Sequence, residues 1–157
     1  MNAPLAERMR PKTLEDYINQ NHLVGEKGPI KMMLQHDMIA SMIFWGPPGT
    51  GKTTLAQLIS ELTDRPFYTL SAISSGVKEV REVIDKAKNQ NLFSGSKKPI
   101  LFIDEIHRFN KTQQDSLLGA VEKGLVTLIG ATTENPSFEA VPALLSRAHV
   151  YVLKHLE

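Results

Sequence analysis

From Met42 onward, short apolar runs alternate with amphipathic stretches. Met42-Ile43-Phe44-Trp45 is apolar throughout and stops at a Gly-Pro-Pro-Gly turn. Beyond it Leu55, Leu58, Ile59 and Leu62 recur at helical spacing and predict one amphipathic face. Phe67 to Leu70 reads as a second strand. A helix is predicted from Val77 to Lys88, with Ser75 as N-cap and Val80, Val83, Ile84 and Ala87 facing inward. Ile100-Leu101-Phe102-Ile103 is apolar at every position. A strand with one wet face alternates, so this one is expected to be covered on both faces, as in a parallel sheet flanked by helices. Gln113 to Val121 predicts a helix carrying Leu117, Leu118 and Val121. Val126 to Ala131 predicts a fourth strand, Glu139 to Leu145 a short helix and His149 to Leu153 a fifth strand. Strand–helix alternation at this spacing predicts an α/β three-layer domain.

Residues 1–40 depart from that pattern. Pro4, Pro11, Gly25, Gly28 and Pro29 interrupt them and leave one helix from Pro29 to His36. They are expected to form an N-terminal arm across the sheet edge, with residues 41–157 as the core. A chain of 157 residues, 41% apolar and 22% charged, is enough for one hydrophobic core. The net charge of +1 creates no global field toward nucleic acid, so any DNA contact would come from local patches. With no cysteine, disulfides and Cys-containing zinc sites are excluded, which fits a cytoplasmic chain. No apolar run is long enough for a signal peptide or a membrane span.

Gly46-Pro47-Pro48-Gly49-Thr50-Gly51-Lys52-Thr53 matches G-x-x-x-x-G-K-[ST] between a predicted strand and a predicted helix. Glycines let the main chain curl until successive N–H groups point at phosphate oxygens, and the helix N-terminus adds its dipole. Lys52 is expected to reach the β- and γ-phosphates, and the Thr53 hydroxyl to ligate Mg²⁺. A chance lysine after a Gly/Pro turn would lack both flanking elements.

Asp104-Glu105 directly follows the all-apolar strand. In doubly wound sheets ligands bind outside the carboxyl ends of strands, so both acids are expected beside the metal and the terminal phosphate, coming from the strand adjacent to the loop. Asp104 would hold Mg²⁺ and Glu105 would act as general base on the attacking water. Thr132-Thr133-Glu134-Asn135 closes the fourth strand; it reads equally as a γ-phosphate sensor or as a polar strand-to-loop transition. From spacing alone, Arg147 is more simply a surface residue than a group serving the nucleotide. His22, His107 and His149 have no i, i+4 histidine partner, so no metal site is expected from them. Trp45 is read as a packing residue.

Gly46–Thr53 together with Ile103-Asp104-Glu105-Ile106-His107-Arg108-Phe109 resembles AAA+ ATPases of the clamp-loader and Holliday-junction-motor neighbourhood. Pro4-Leu5-Ala6-Glu7-Arg8-Met9-Arg10-Pro11, Gln20–Gly25, Ile129–Glu139 and Ala143–Ala148 narrow the resemblance to the replication-associated recombination protein A family. Its eukaryotic relative is the Werner helicase-interacting ATPase. The resemblance covers nearly the whole chain, and Thr132-Thr133-Glu134-Asn135-Pro136-Ser137-Phe138 is its most discriminating run. It implies a P-loop NTPase core with a five-stranded parallel sheet, and ATP and Mg²⁺ bound by Gly46–Thr53 and Thr54. It implies Thr133 as first sensor and Arg147 as a finger acting on a neighbouring subunit's ATP. Tyr17 and Ile18 match the segment bordering adenine, although Asn19 stands where relatives carry glycine. The chain stops just after the fifth strand, where such ATPases continue into a helical lid. It is therefore expected to be the core of a longer, homo-oligomeric protein, lid absent, turning ATP over weakly by itself. The resemblance further implies action at stalled forks or gapped DNA, with DNA and single-strand-binding protein as partners. Lys78, Arg81, Lys86 and Lys88 on one helix, with Arg108 and Lys111 near another, are candidate phosphate contacts or ordinary solvated surface. A Holliday-junction-motor or clamp-loader subunit is one alternative, and a protein unfoldase of the same superfamily is a second, but Ser74-Ser75-Gly76-Val77 lacks the aromatic of a pore loop, and Asn91–Gly95 is a poor substitute. A nucleotide switch with negligible turnover is a third, against which Glu105 argues.

Overall fold

The computed structural model describes residues 29–36, 39–48, 51–74, 76–94, 97–133 and 148–153. Its strands are β1 (Met42–Trp45), β2 (Phe67–Ser71), β3 (Ile100–Asp104), β4 (Thr127–Thr132) and β5 (His149–Val152). Its helices are α1 (Pro29–His36), α2 (Lys52–Leu62), α3 (Val77–Ser94) and α4 (Lys111–Glu122), with a 3-10 turn at Ile106–Arg108. The five strands form one parallel sheet in the order β2-β3-β4-β1-β5. The acids were expected on the strand next to the phosphate loop. Instead β4 lies between β1 and β3, so the strand that leads to Thr133 separates the loop strand from the acid strand.

Alternation along each strand sends neighbouring side chains to opposite faces, and both faces are covered. On one face Met42, Phe44, Ile100, Phe102, Ile129 and Ala131 pack with Leu55, Ala56, Leu58 and Ile59 of α2. On the other, Leu70, Leu101, Ile103 and Leu128 pack with α3 and α4 through Val80, Ala87, Leu117 and Ala120. The all-apolar β3 is thus divided two and two between the clusters. From the expected N-terminal arm, α1 joins the first cluster through Ile30, so this part of the arm packs on the same face as α2.

Differences from the predicted bounds have local causes. β2, β3 and β4 each run one residue further, to Ser71, Asp104 and Thr132. Hydrophobic patterning cannot register those polar ends, although Ser71 and Asp104 pair directly. α3 continues to Ser94 because neither Gly nor Pro intervenes after Lys88. α4 starts at Lys111 because Asn110 and Gln113 form a capping box: the Asn110 side chain accepts from the Gln113 amide at 2.9 Å, and Gln113 Oε1 accepts from the Asn110 amide at 2.8 Å. Leu62 does not join the buried stripe of α2 and is 47% exposed. The inward face ends at Ile59, and Thr63 then stops the helix by donating its hydroxyl to the Ile59 carbonyl at 2.7 Å. Ser75 and the helix predicted at 139–145 lie outside the described residues.

Two glycines allow close approaches that seat the upper edge of the sheet. A Cβ on Gly46 would lie 2.7 Å from the Leu153 carbonyl oxygen, a backbone atom that cannot swing aside. A Cβ on Gly130 would lie 2.8 Å from Ile106 Cδ1. Gly119, in the middle of α4, has open space where its Cβ would be. Gly46→Ala is therefore expected to lower unfolding free energy by about 1–3 kcal/mol through overpacking. Gly119→Ala is expected to raise it by about 0.5–1 kcal/mol through helix propensity. Urea unfolding of the two variants checks both signs.

Candidate functional site

The carboxyl ends of β1, β3 and β4 open onto a cavity of about 250 Å³ lined by Pro48, Gly51, Lys52, Thr53, Thr54, Asp104, Glu105 and Thr133. That is below the roughly 300–1,000 Å³ of a site enclosing a whole drug-sized ligand, so the cavity suits one polar end of a larger molecule. Gly49 and Thr50 of the loop, Tyr17 and Ile18 of the expected adenine border, and Arg147 lie outside the described residues.

The loop delivers the start of α2 to the cavity floor. Gly51 adopts φ 83° and ψ 28°, left-handed backbone that glycine takes without a Cβ penalty, and no side chain caps the helix behind it. The first amides of a helix have no partner inside it, and they carry the positive end of its dipole. Lys52 Nζ folds back to donate to the carbonyls of Gly46 and, at 3.3 Å, of Pro47. Burial lowers the pKa of its ammonium below the ordinary lysine value, and the negative charges of Glu105 and Asp104 partly offset that shift. Lysine and both acids thus act on one another electrostatically. Gly46 is fixed from its other side, where its amide donates to the Thr132 carbonyl at 3.1 Å.

Successive residues of an extended strand would point to opposite faces. Asp104 ends β3, and Glu105 turns out of it with φ 57° and ψ 46°. Left-handed backbone costs a residue with a Cβ about 1–2 kcal/mol, and here it breaks the alternation so that both acids line the same cavity. The 3-10 turn holds that bend. The Arg108 amide donates to the Glu105 carbonyl at 2.9 Å, while Ile106 and Phe109 are buried in the second cluster.

Two groups linked to Glu105, His107 and Thr132, were not brought together with it by sequence reasoning. His107 Nε2 lies 3.2 Å from Glu105 Oε2, and His107 Nδ1 lies 2.6 Å from Thr132 Oγ1. The sequence shows only a lone histidine and a threonine 25 positions away; no spacing rule joins them. Of the two strand-end threonines, Thr133 lines the cavity while Thr132 is buried at 1% exposure. Trp45 is half-buried and its carbonyl accepts from the Leu153 amide, in keeping with packing at the sheet edge.

The donor set fits a nucleoside triphosphate with magnesium. An ammonium and an uncapped helix start suit phosphate oxygens, and a hydroxyl beside two carboxylates gives the oxygen ligands that a hard cation prefers. Among the described residues no group of three His, Cys, Asp or Glu could by itself hold a metal. Magnesium takes one or two carboxylates and completes its shell from substrate phosphates and water. On α3, Lys78, Arg81, Lys86 and Lys88 are exposed, but so are Glu79, Glu82 and Asp85 between them, so this surface is of mixed charge. Among the described residues no helix is long and apolar enough to cross a membrane.

Comparison with known proteins agrees with this geometry. The profile of the AAA family (ATPase family associated with various cellular activities) matches residues 42–156. Replication-associated recombination protein A of Haemophilus influenzae is 58% identical over 153 residues, covering 98% of this chain and 34% of that protein. The ATPase WRNIP1 of Dictyostelium discoideum is 53% identical over 154 residues, covering 98% of this chain and 17% of that protein. Among solved structures, the RuvB Holliday junction branch migration motor of Thermotoga maritima superposes with a TM-score of 0.73 at 28% identity, covering 93% of this chain and 49% of that one. The chain spans about a third of the length of the bacterial replication-associated recombination proteins that it matches. A profile match over most of its length, on a parallel sheet with this loop and these acids at its carboxyl edge, places the chain in the AAA family of ATPases.

Proposed function

We propose that this chain is the ATP-binding and ATP-hydrolysing core of a replication- and recombination-associated ATPase. The observation that carries the reading is the single cavity where Lys52, Thr53, Asp104, Glu105 and Thr133 meet. Lys52 exchanges its bonds to the Gly46 and Pro47 carbonyls for oxygens of the β- and γ-phosphates. Gly46, Pro47, Pro48, Gly49, Thr50 and Gly51 shape the loop around the phosphates, while the amides of Lys52, Thr53 and Thr54 face them. The Thr53 hydroxyl and Asp104 hold magnesium, which when bound supplies positive charge against the triphosphate and its transition state. Glu105 takes the proton of the water attacking the terminal phosphorus, and the Thr133 hydroxyl orients that water or the γ-phosphate. Arg147 acts across a subunit boundary in a homo-oligomer, and Tyr17 and Ile18 border adenine.

Action on DNA, at stalled forks or gaps and with single-strand-binding protein as a partner, belongs to the complete protein. It rests on the names of the relatives and on the resemblance in residues 129–139. Similarity to a branch-migration motor favours a nucleic-acid machine over a protein unfoldase.

Lys52→Ala is expected to abolish detectable ATP binding. Glu105→Gln is expected to keep binding within about twofold while cutting hydrolysis by about 10²-fold or more, the typical contribution of a general base. Equilibrium binding of a fluorescent ATP analogue and single-turnover hydrolysis separate the two effects; normal hydrolysis by Glu105→Gln would refute the base assignment.

Burial favours the neutral form of Lys52, so its lowered pKa means that the amine begins to lose its proton at a lower pH than a solvated lysine does. Bound phosphate charge restores the ammonium. ATP binding on the alkaline side of neutrality is therefore expected to take up protons, with affinity falling as pH rises. Calorimetry in buffers of different ionisation enthalpy reads the uptake, and Lys52→Arg should remove it.

A further inference from the structure

We propose that His107 and Thr132 are positioning residues that fix the carboxylate of Glu105 for proton abstraction; the inference rests on the reading of Glu105 as general base. The geometry is a chain of contacts from the sheet interior to the cavity. Thr132 Oγ1 lies 2.6 Å from His107 Nδ1, and His107 Nε2 lies 3.2 Å from Glu105 Oε2. An ionised carboxylate can only accept, so a neutral imidazole must carry its proton on Nε2 to bond Glu105. That leaves Nδ1 as acceptor and makes the Thr132 hydroxyl the donor. Thr132 is thereby the selector of the tautomer, as the second partner of a histidine ring commonly is.

The pair sits where an orienting device is needed. Glu105 has a flexible side chain on a left-handed backbone position, at a cavity edge where its carboxylate is partly exposed. A bond from Nε2 to Oε2 fixes the carboxylate rotation and leaves Oε1 to receive the proton of water. The ring is itself held, because its side chain is only 8% exposed and Thr132 is buried in β4. The Thr132 carbonyl accepts from the amide of Gly46, the first residue of the phosphate loop. One residue of the central strand therefore contacts both the loop that would hold the phosphates and the histidine that holds the base. A displacement of the loop reaches Glu105 through three polar contacts, with Thr132 and the His107 ring as the links between them.

The test combines a spectroscopic and a kinetic readout on the 157-residue chain. Nitrogen-15 NMR of the imidazole, at about pH 8 where an ordinary ring is neutral, is expected to show His107 protonated at Nε2 with Nδ1 accepting. Thr132→Val, nearly isosteric but without the hydroxyl, should produce a mixture of tautomers, and Thr132→Ser should retain the single one. A wild-type ring protonated at Nδ1 alone would overturn the proposal, since it could not donate to Glu105.

In single-turnover hydrolysis with enzyme in excess, His107→Ala should slow the step by roughly 10- to 100-fold, the usual scale for losing an orienting partner. Nucleotide affinity should stay within about twofold, the mark of an interaction made in the transition state. His107→Gln, whose amide can offer an N–H near the Nε2 position, should recover most of the rate. Equal loss in His107→Ala and His107→Gln would reduce the ring to packing and overturn the inference, as would a wild-type rate in His107→Ala. Should the alanine variant fail to fold, the Gln and Thr132→Val variants decide alone: the first near wild type and the second slowed supports positioning, and any other pairing refutes it. Glu105→Gln in the same series keeps the two readings apart. Its full activity sinks the base itself, whereas its inactivity beside an unimpaired His107→Ala sinks only the positioning role.

Discussion

The cavity depends on a bend in the main chain just beyond β3, and that bend depends on Ile106 resting against a glycine. Glu105 occupies left-handed backbone that a residue with a Cβ avoids. It stays there because the next residue is committed to the core, with Ile106 buried and seated on Gly130 of the neighbouring strand. Hydrophobic burial of an isoleucine is worth about 1.5–3 kcal/mol, comparable to or greater than the backbone cost. Free the anchor, and Asp104 and Glu105 revert to the alternation of a strand, one toward each face. The same Gly130 that admits Ile106 belongs to β4, the strand that ends at Thr132 and leads directly to Thr133. Packing inside the sheet and the electrostatics of its edge are thus joined through a few atoms.

Charge in the cavity is arranged in mutual tension. Lys52 is partly removed from water, which disfavours its ammonium, and it is compensated by two carboxylates and by main-chain carbonyls. Beside it a helix start with no side-chain cap brings to the cavity its first residues, whose amides have no acceptor within the helix. Such a site is short of anionic oxygens on one side and rich in them on the other, which matches a polyphosphate carrying a divalent cation.

Much of the fold could be read from the chain. Where patterning is redundant, as in the unbroken apolar run of β3 or the i, i+3, i+4 spacing of Leu55, Leu58 and Ile59, one face or two had to be buried and the element followed. The ends were harder, because capping by Asn110 and Gln113, or the polar pair Ser71 and Asp104, involves hydrogen bonds that hydrophobic periodicity does not weigh. Strand order was the larger surprise. Nothing in local sequence says that β4 lies between β1 and β3, since the order reflects packing among elements far apart along the chain. Phosphate-loop and acidic residues were legible because their chemistry demands contiguous residues at strand ends. The link from Glu105 to Thr132 through His107 was not, because it bridges two strands and exists only once they pair.

The interposed β4 also bears on how the molecule acquires its ligand-binding ability. The loop precedes the acids by about 50 positions and Thr133 by about 80, and the three segments meet only when the three central strands have aligned. High contact order of this kind makes assembly slow and cooperative. A half-assembled intermediate lacking the middle strand would keep its glycine-rich loop but have no acids beside it. Nucleotide affinity should therefore arise in one step with the native sheet, and ligand present during refolding would stabilise the end point without guiding the early route.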